Sequence, residues 1–201
     1  MAYLRESQVR AAADQARGPS VLRKSSSTIL NEDMVTASAI ARFDIFLSHS
    51  IKDGDIVLGA KKLLERAGYS VYVDWLVDPS LDRNNVNAGT TDKLRARMRQ
   101  SDMLVFLYSQ FSQASRWMPW ELGYFDGHNG NVAVLPILPD SGSLDFSKEE
   151  YLQLYPKVDF VELRSTPKAY VNKSKGVESN SGVTTLRSWR DASDKQRPAA
   201  A

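Results

Sequence analysis

The sequence predicts an α/β fold, in which helices cover both faces of a parallel β-sheet. Four short apolar runs rich in strand-forming residues lie between residues 43 and 138, and such runs are typical of strands buried on both faces. Stretches with apolar residues at helical spacing separate these runs. Strands that alternate with helices in this way build parallel sheets with right-handed crossovers.

The first half of this predicted sheet contains three strands. Residues 43–49 form an apolar run that ends in small polar residues, as a buried strand does. A helix over 50–67 follows, and Gly68 can end it. The second strand is 70–75, and the third, 102–108, comes after a helix over about 90–100.

The second half of the predicted sheet is less regular than the first. A helix from Ser115 to Gly127 precedes the strand 131–138, which is apolar throughout after Asn131. Residues 157–163 alternate between apolar and polar side chains, which predicts a fifth strand at an edge of the sheet.

The two ends of the chain differ in composition from this middle part. The sequence predicts a helix over Tyr3–Ala16, a second weak helix over Ser20–Lys24 and a linker over Ser25–Thr28, and a last helix over 183–194. We therefore divide the chain into an N-terminal helical extension or linker (1–40), a compact domain (41–165) and a C-terminal segment (166–201).

Composition excludes several classes of function. Hydrophobic residues make up 42% and charged residues 25% of the 201 residues, which is ordinary for a globular protein with a core. A formal net charge of +2 gives no basic field for a nucleic acid. The chain has no cysteine, no apolar run that could span a membrane and no signal-peptide core. We expect a soluble, cytoplasmic protein that binds neither nucleic acid nor membrane.

One glutamate occupies an unexpected position on the helix that begins near Ser115. Helical spacing places four aromatic residues and this acid on one face: Trp117, Trp120, Glu121, Tyr124 and Phe125. Ser115 can cap the start of the helix and Gly127 can end it. An ionised glutamate loses several kcal/mol of hydration in apolar surroundings. Either it pairs with an arginine of the preceding helix (Arg95, Arg97 or Arg99), or it has a functional role.

The predicted sheet also indicates where a ligand would bind. In open parallel sheets ligands bind beyond the carboxyl ends of the strands, which here carry Ser48-His49, Asp74-Trp75 and Ser109. A long loop, 76–89, lies beside these ends. The sequence lacks a dinucleotide-binding glycine fingerprint and a phosphate-binding P-loop, and its two histidines do not make a convincing metal site.

Four motifs, in this order and at this spacing, resemble the TIR (Toll/interleukin-1 receptor) domain. They are Phe43-Asp-Ile-Phe-Leu-Ser-His-Ser50, Val71-Tyr-Val-Asp-Trp75, Asp102-Met-Leu-Val-Phe-Leu-Tyr-Ser109 and Trp117-Met-Pro-Trp-Glu-Leu-Gly123. The resemblance spans about residues 41–165 and implies a flavodoxin-like fold with a five-stranded parallel sheet. Within the family, the chain resembles the bacterial NAD-cleaving signal generators of antiphage defence, such as those of the Thoeris type.

The resemblance implies a site and a substrate. Enzymatic TIR domains carry a catalytic glutamate four residues after a tryptophan, which here gives Glu121 after Trp117. The substrate would be NAD+, with no cofactor or metal, and the pocket-lining residues would be Phe46, Ser48, Asp74, Trp75 and Trp117. The resemblance also implies self-association through TIR–TIR contacts and a downstream effector that senses the product. The loop over 78–88 departs from the family, because it is longer and richer in asparagine.

A single carboxylate suffices for this chemistry. Glycoside hydrolysis usually needs a second acid to protonate the leaving group, but the nicotinamide of NAD+ already carries positive charge and leaves neutral. What remains is a ribose cation, which a fixed carboxylate stabilises best in a water-poor, aromatic pocket. The sequence leaves open whether water, the adenine ring or an added nucleophile then attacks.

Two other functions remain possible from the sequence. A TIR domain can serve only as a protein-interaction module, although such modules often lack the glutamate that is Glu121 here. The chain could also be a different flavodoxin-like nucleotide binder.

Overall fold

A computed structural model describes residues 3–19, 23–37, 42–75, 88–143, 147–163, 166–172 and 183–195. The strands are β1 Leu4–Arg5, β2 Phe43–Ser48, β3 Val71–Tyr72, β4 Ser101–Tyr108, β5 Val132–Leu138, β6 Lys157–Leu163, β7 Thr166–Asn172 and β8 Val183–Thr185. The helices are α1 Glu6–Arg17, α2 Ser26–Ala37, α3 Gly54–Arg66, α4 Ala88–Arg99, α5 Trp117–His128 and α6 Leu186–Lys195. Two 3₁₀ helices cover Ser112–Ala114 and Ser147–Leu154.

The predicted five-stranded parallel sheet forms the centre of the molecule. Its strands lie in the order β3-β2-β4-β5-β6, and each neighbouring pair is parallel. This is the flavodoxin-like strand order, so the predicted fold class is confirmed. The described sheet is larger than predicted, because β7 and β8 extend it with antiparallel pairs and β1 pairs in parallel with the end of β5.

The two faces of the sheet bury two separate apolar clusters. Alternation along β2 sends Ile45 and Leu47 to one cluster and Phe46 to the other. We call the first the α3 face, because it packs against α1, α2, α3 and α6. We call the second the α5 face, because it packs against α4, α5 and the 3₁₀ helix over Ser147–Leu154.

The N-terminal helices pack tightly on the domain. Val9 of α1 is buried on the α3 face, and a Cβ on Gly59 would lie 1.9 Å from the carbonyl oxygen of Val9. Only glycine permits such a close helix crossing. Arg10 adds a 2.6 Å ion pair to Asp53 at the start of α3.

The second helix is longer than predicted and begins later. The prediction of a helix over 20–24 is wrong for residues 23 and 24, and residues 20–22 lie outside the described part. The predicted linker over Ser25–Thr28 instead begins α2, because Ser25 Oγ accepts a 3.0 Å hydrogen bond from the Thr28 amide as a helix cap does. Ser26 is buried and donates a 2.5 Å hydrogen bond to Asp55.

The C-terminal helix closes the other end of the α3 face. Leu186 is buried there, and Arg190 bonds to Asp44 at 3.1 Å and to Asp102 at 3.0 Å, near the starts of β2 and β4. The helix predicted over 183–194 is confirmed from Leu186 onward, whereas its first three residues form β8.

Candidate functional site

The turn after β4 sets the start of α5. Ser112 Oγ accepts from the Ser109 amide at 2.7 Å and donates to the Leu107 carbonyl at 2.9 Å, which fixes the chain as it leaves the sheet. Ser115 Oγ accepts from the Met118 amide at 3.4 Å, so this serine lies in the predicted capping position. The side chains of the first turn of α5 are thereby placed at the carboxyl edge of the sheet.

Helix α5 ends one residue later than predicted. Gly127 continues the helix, which runs to His128. Gly130 follows with φ of +66°, a left-handed conformation that glycine adopts readily. Because the Asn129 and Gly130 amides both bond to the Phe125 carbonyl, the chain turns off the helix there.

The face predicted for α5 divides into a buried row and a half-buried row. Glu121 and Phe125 are buried, with Glu121 only 7% exposed. The other three aromatic side chains, Trp117, Trp120 and Tyr124, form a half-buried ladder. Trp117 and Trp120 contact edge-to-face at 5.5 Å, and Trp120 stacks on Tyr124 at 5.7 Å.

Glu121 is hydrogen-bonded to the end of β2. Ser48 Oγ donates to Glu121 Oε2 over 2.5 Å, and Ser48 itself is wholly buried. Ser48 shares the α5 face with Phe46, two residues earlier on β2. The structure thus brings Phe46, Ser48 and Glu121 together at the carboxyl edge, where the topology predicts a ligand.

Two of the three candidate arginine partners of Glu121 are engaged with other groups. Arg95 pairs with Asp92 at 3.2 Å and lies over the Trp120 ring at 5.7 Å. Arg97 lies over the Tyr72 ring at 5.3 Å. Arg95 and Arg97 therefore contact side chains other than Glu121.

Asp74 lies on the same face as Ser48. It hydrogen-bonds to the Tyr72 hydroxyl, and burial together with the Asp74 charge raises the pKa of Tyr72 well above its ordinary value. Tyr72 packs against Phe46 with ring centroids 5.7 Å apart. Asp74 therefore flanks the Ser48–Glu121 pair on the side of β3.

Trp75 lies on the opposite face of the sheet. It is buried in the α3-face cluster, stacks on His49 at 5.6 Å and contacts Gly54 at the start of α3. The structure therefore does not group Trp75 with Glu121, and its substrate contact stays a prediction. Residues 76–87 of the predicted long loop (76–89) lie outside the described part. The prediction is wrong for residues 88 and 89, which begin α4.

The family of the chain follows from comparison with known proteins. A model of the TIR domain family matches residues 45–173, which include most of β2, the strands from β3 to β7 and the whole of α5. The chain belongs to the TIR domain family.

Two curated relatives of this TIR domain are bacterial. A protein of Bacillus cereus (strain MSX-D12), named "Probable 3' cyclic ADP-D-ribose synthase ThsB'", is 51% identical over 116 residues, which cover 58% of this chain and 60% of that protein. A protein of Cytobacillus dafuensis, named "Putative cyclic ADP-D-ribose synthase TIR2", is 35% identical over 83 residues, which cover 41% of this chain and 22% of that protein. The match thus spans less than two thirds of either relative.

Sequence reasoning missed a second carboxyl group at this edge of the TIR domain. Tyr108 ends β4 on the α5 face, and its hydroxyl is hydrogen-bonded to Glu149 of the 3₁₀ helix over Ser147–Leu154. Gln113 Nε2 donates to the same hydroxyl at 3.3 Å. Burial raises the pKa of Glu149, although the bond from Tyr108 partly opposes that shift. No periodicity singles out Glu149, because it lies at a break in its helix, with φ of −136° and ψ of 55°.

Two further properties concern only the described residues. None of their helices is long and apolar enough to cross a membrane. Within the same part of the chain, no three histidine, cysteine or acidic side chains come together as a metal site.

Proposed function

We propose that this TIR domain cleaves the nicotinamide–ribose bond of NAD+ and produces ADP-ribose or a cyclic or derivatised form of it, as a signal in antiviral defence. The observation that carries the proposal is the buried carboxylate of Glu121, which Ser48 holds at the carboxyl edge of the sheet. The names of the two relatives, both cyclic ADP-ribose synthases, support this substrate and favour a cyclic product.

The proposed reaction uses Glu121 as an electrostatic catalyst. Nicotinamide leaves as a neutral molecule, so no acid is required, and the positive charge passes to the ribose. A carboxylate that hydrogen-bonds the ribose hydroxyls stabilises this charge, most strongly where water is excluded. The buried cluster around Glu121, which includes Phe46 and Met118, keeps that side of the site dry.

The other candidate residues take different roles in this proposal. Ser48 is wholly buried behind Glu121, so we assign it to orienting the carboxylate rather than to touching the substrate. Trp117 is half-buried at the start of α5, where its ring can stack on a flat base. Asp74 is half-buried beside them and can accept a hydrogen bond from a substrate hydroxyl.

A TIR interaction module without enzymatic activity is the alternative. The half-buried ladder on α5 favours this candidate to some extent, because aromatic residues are enriched at protein interfaces. A scaffold gives no reason to bury the Glu121 carboxylate, which carries a desolvation cost. Self-association through TIR–TIR contacts and a downstream effector are compatible with either candidate and remain predictions, as does the cytoplasmic location.

Product analysis distinguishes the two candidates. The full chain is incubated with NAD+ over a range of protein concentrations, and the products are identified by mass spectrometry. If the proposal is correct, the amount of nicotinamide released equals the summed amount of linear and cyclic ADP-ribose products. An interaction module would leave NAD+ intact at every concentration.

A further inference from the structure

The described fold places Glu149 at the same edge of the sheet as Glu121. Strand β5 ends at Leu138 on the carboxyl edge, whereas β6 begins at Lys157 beside Val134, near the start of β5. The 3₁₀ helix over Ser147–Leu154 must therefore run back along the α5 face. Glu149 lies in its first turn and so stays close to the carboxyl edge.

This 3₁₀ helix runs beside α5 and in the same direction. Near its end, the Tyr155 hydroxyl donates a 2.9 Å hydrogen bond to Asp126 in the last turns of α5. Leu152 packs in the same cluster as Met118. Glu121 lies in the second turn of α5 and Glu149 in the first turn of the 3₁₀ helix, so both stand toward the carboxyl-edge ends of two neighbouring helices.

Tyr108 connects Glu149 to the floor of the site. It lies two residues beyond Phe106, which is the β4 partner of Ser48, and its side chain is wholly buried on the α5 face. Its hydroxyl, itself bonded by Gln113, directs one end of Glu149. Among the described residues, no group hydrogen-bonds the buried Glu149 Oε2.

We propose that Glu149 accepts the proton of the substrate hydroxyl that closes the ring when a cyclic ADP-ribose forms. This inference rests on the proposed NAD+ cleavage, and on ring closure at a ribose position, as the name of the Bacillus cereus relative, a 3' cyclic ADP-D-ribose synthase, indicates. In the step, a ribose hydroxyl oxygen attacks the cationic C1 left by nicotinamide, the C–O bond forms, the O–H bond breaks and the proton passes to the Glu149 carboxylate. The cation is neutralised, and Glu149 later releases the proton to solvent.

The surroundings of Glu149 suit the role of a proton acceptor, which works best when its pKa is raised toward the working pH. Its buried surroundings and raised pKa make Glu149 a stronger base than an exposed glutamate.

A proton acceptor affects cyclisation more than hydrolysis. Water attacking from the mouth of the site can pass its proton to other water molecules. A hydroxyl of the bound substrate is enclosed and needs an acceptor within hydrogen-bonding reach. Removing the Glu149 charge should therefore change the ratio of products more than the rate at which nicotinamide is released.

The experiment compares wild type with Glu149→Gln, Tyr108→Phe and the matched control Glu150→Gln, whose side chain is exposed on the same 3₁₀ helix. Nicotinamide release and the ratio of cyclic to linear product are measured together. We expect Glu149→Gln to lower the ratio at least about tenfold with nicotinamide release within about threefold of wild type. Tyr108→Phe should lower the ratio less, and Glu150→Gln should leave it unchanged.

Several results would overturn the inference and leave NAD+ cleavage standing. These are an unchanged product ratio in Glu149→Gln, an equal fall of the ratio in Glu150→Gln, or a wild-type protein that releases nicotinamide but forms only linear ADP-ribose. A folded Glu149→Gln protein that no longer releases nicotinamide would also overturn it, because Glu149 would then act in bond cleavage. Failure of the proposed function itself is distinct, since wild type would then release no nicotinamide.

Discussion

Ser48 and Glu121 are joined by a 2.5 Å hydrogen bond between side chains that are both buried, although 73 residues separate them in the sequence. The bond links the end of β2 to the second turn of α5. It fixes one carboxylate oxygen in an apolar cluster, where hydrogen bonds to charged groups are strong. The orientation of the proposed catalytic group therefore depends on the Ser48 hydroxyl.

Replacement of Ser48 by alanine tests this dependence. A hydrogen bond to a charged group contributes about 1.5–3 kcal/mol, so we expect Ser48→Ala to lower kcat for NAD+ cleavage by about 10- to 100-fold with a smaller change in KM. Ser48→Thr keeps the hydroxyl and should retain most of the activity. Steady-state kinetics are measured on both folded variants. A kcat of Ser48→Ala equal to that of wild type would contradict the proposed role of Ser48 in orienting Glu121.

Replacement of Gly59 by alanine tests the packing of the N-terminal helix. A Cβ at this position would overlap the Val9 carbonyl, so α1 and α3 must separate, at a cost of about 1–3 kcal/mol. Gly127 is the control, because a Cβ there meets no described atom within 4 Å. We expect Gly127→Ala to be neutral or to stabilise the protein by up to about 1 kcal/mol. Urea unfolding measures the free energy of unfolding of both variants. If Gly59→Ala were as stable as Gly127→Ala, α1 would not be packed against α3 as described.

The buried carboxyl of Asp159 predicts a pH dependence of stability. Burial raises the pKa of Asp159, and none of the described residues hydrogen-bonds its Oδ1. A group with a raised pKa in the folded state favours folding while protonated, and this contribution is lost as pH rises from the ordinary aspartate value through the raised one. Asp159 should therefore weaken the fold at neutral and alkaline pH.

The matching variant is Asp159→Asn. We expect it to exceed wild type in free energy of unfolding at pH 8 by about 1 kcal/mol, with the difference shrinking as pH falls toward 4. Urea unfolding between pH 4 and pH 8 provides the measurement. A difference that stays constant across this range would show that the pKa of Asp159 is the same in the folded and unfolded states, which would contradict the prediction.

The central strands could be predicted from sequence because their signal is local. The runs predicted at 43–49, 102–108 and 131–138 correspond within one residue to β2, β4 and β5. Strands buried on both faces must be almost entirely apolar, so their ends are visible as changes of composition. The burial of Glu121 followed in the same way from helical spacing.

Elements that depend on tertiary contacts were less predictable. Strand β1 has only two residues, and α2 is stabilised by contacts that its own sequence does not indicate, such as the bond from Ser26 to Asp55. The face of Trp75 could have been predicted, since Val71 and Val73 precede it at strand spacing on the α3 face. The position of Glu149 could not have been predicted, because it depends on a break in the 3₁₀ helix that the sequence does not indicate.

The most direct test of the whole account is the rate of nicotinamide release from the Glu121→Gln variant. Glutamine keeps the size of the side chain and can still accept from Ser48, but it removes the charge that stabilises the ribose cation. We predict that the folded variant loses NAD+ cleavage by at least about a thousandfold, whereas Glu150→Gln keeps the wild-type rate. Nicotinamide release at the wild-type rate from Glu121→Gln would contradict the account.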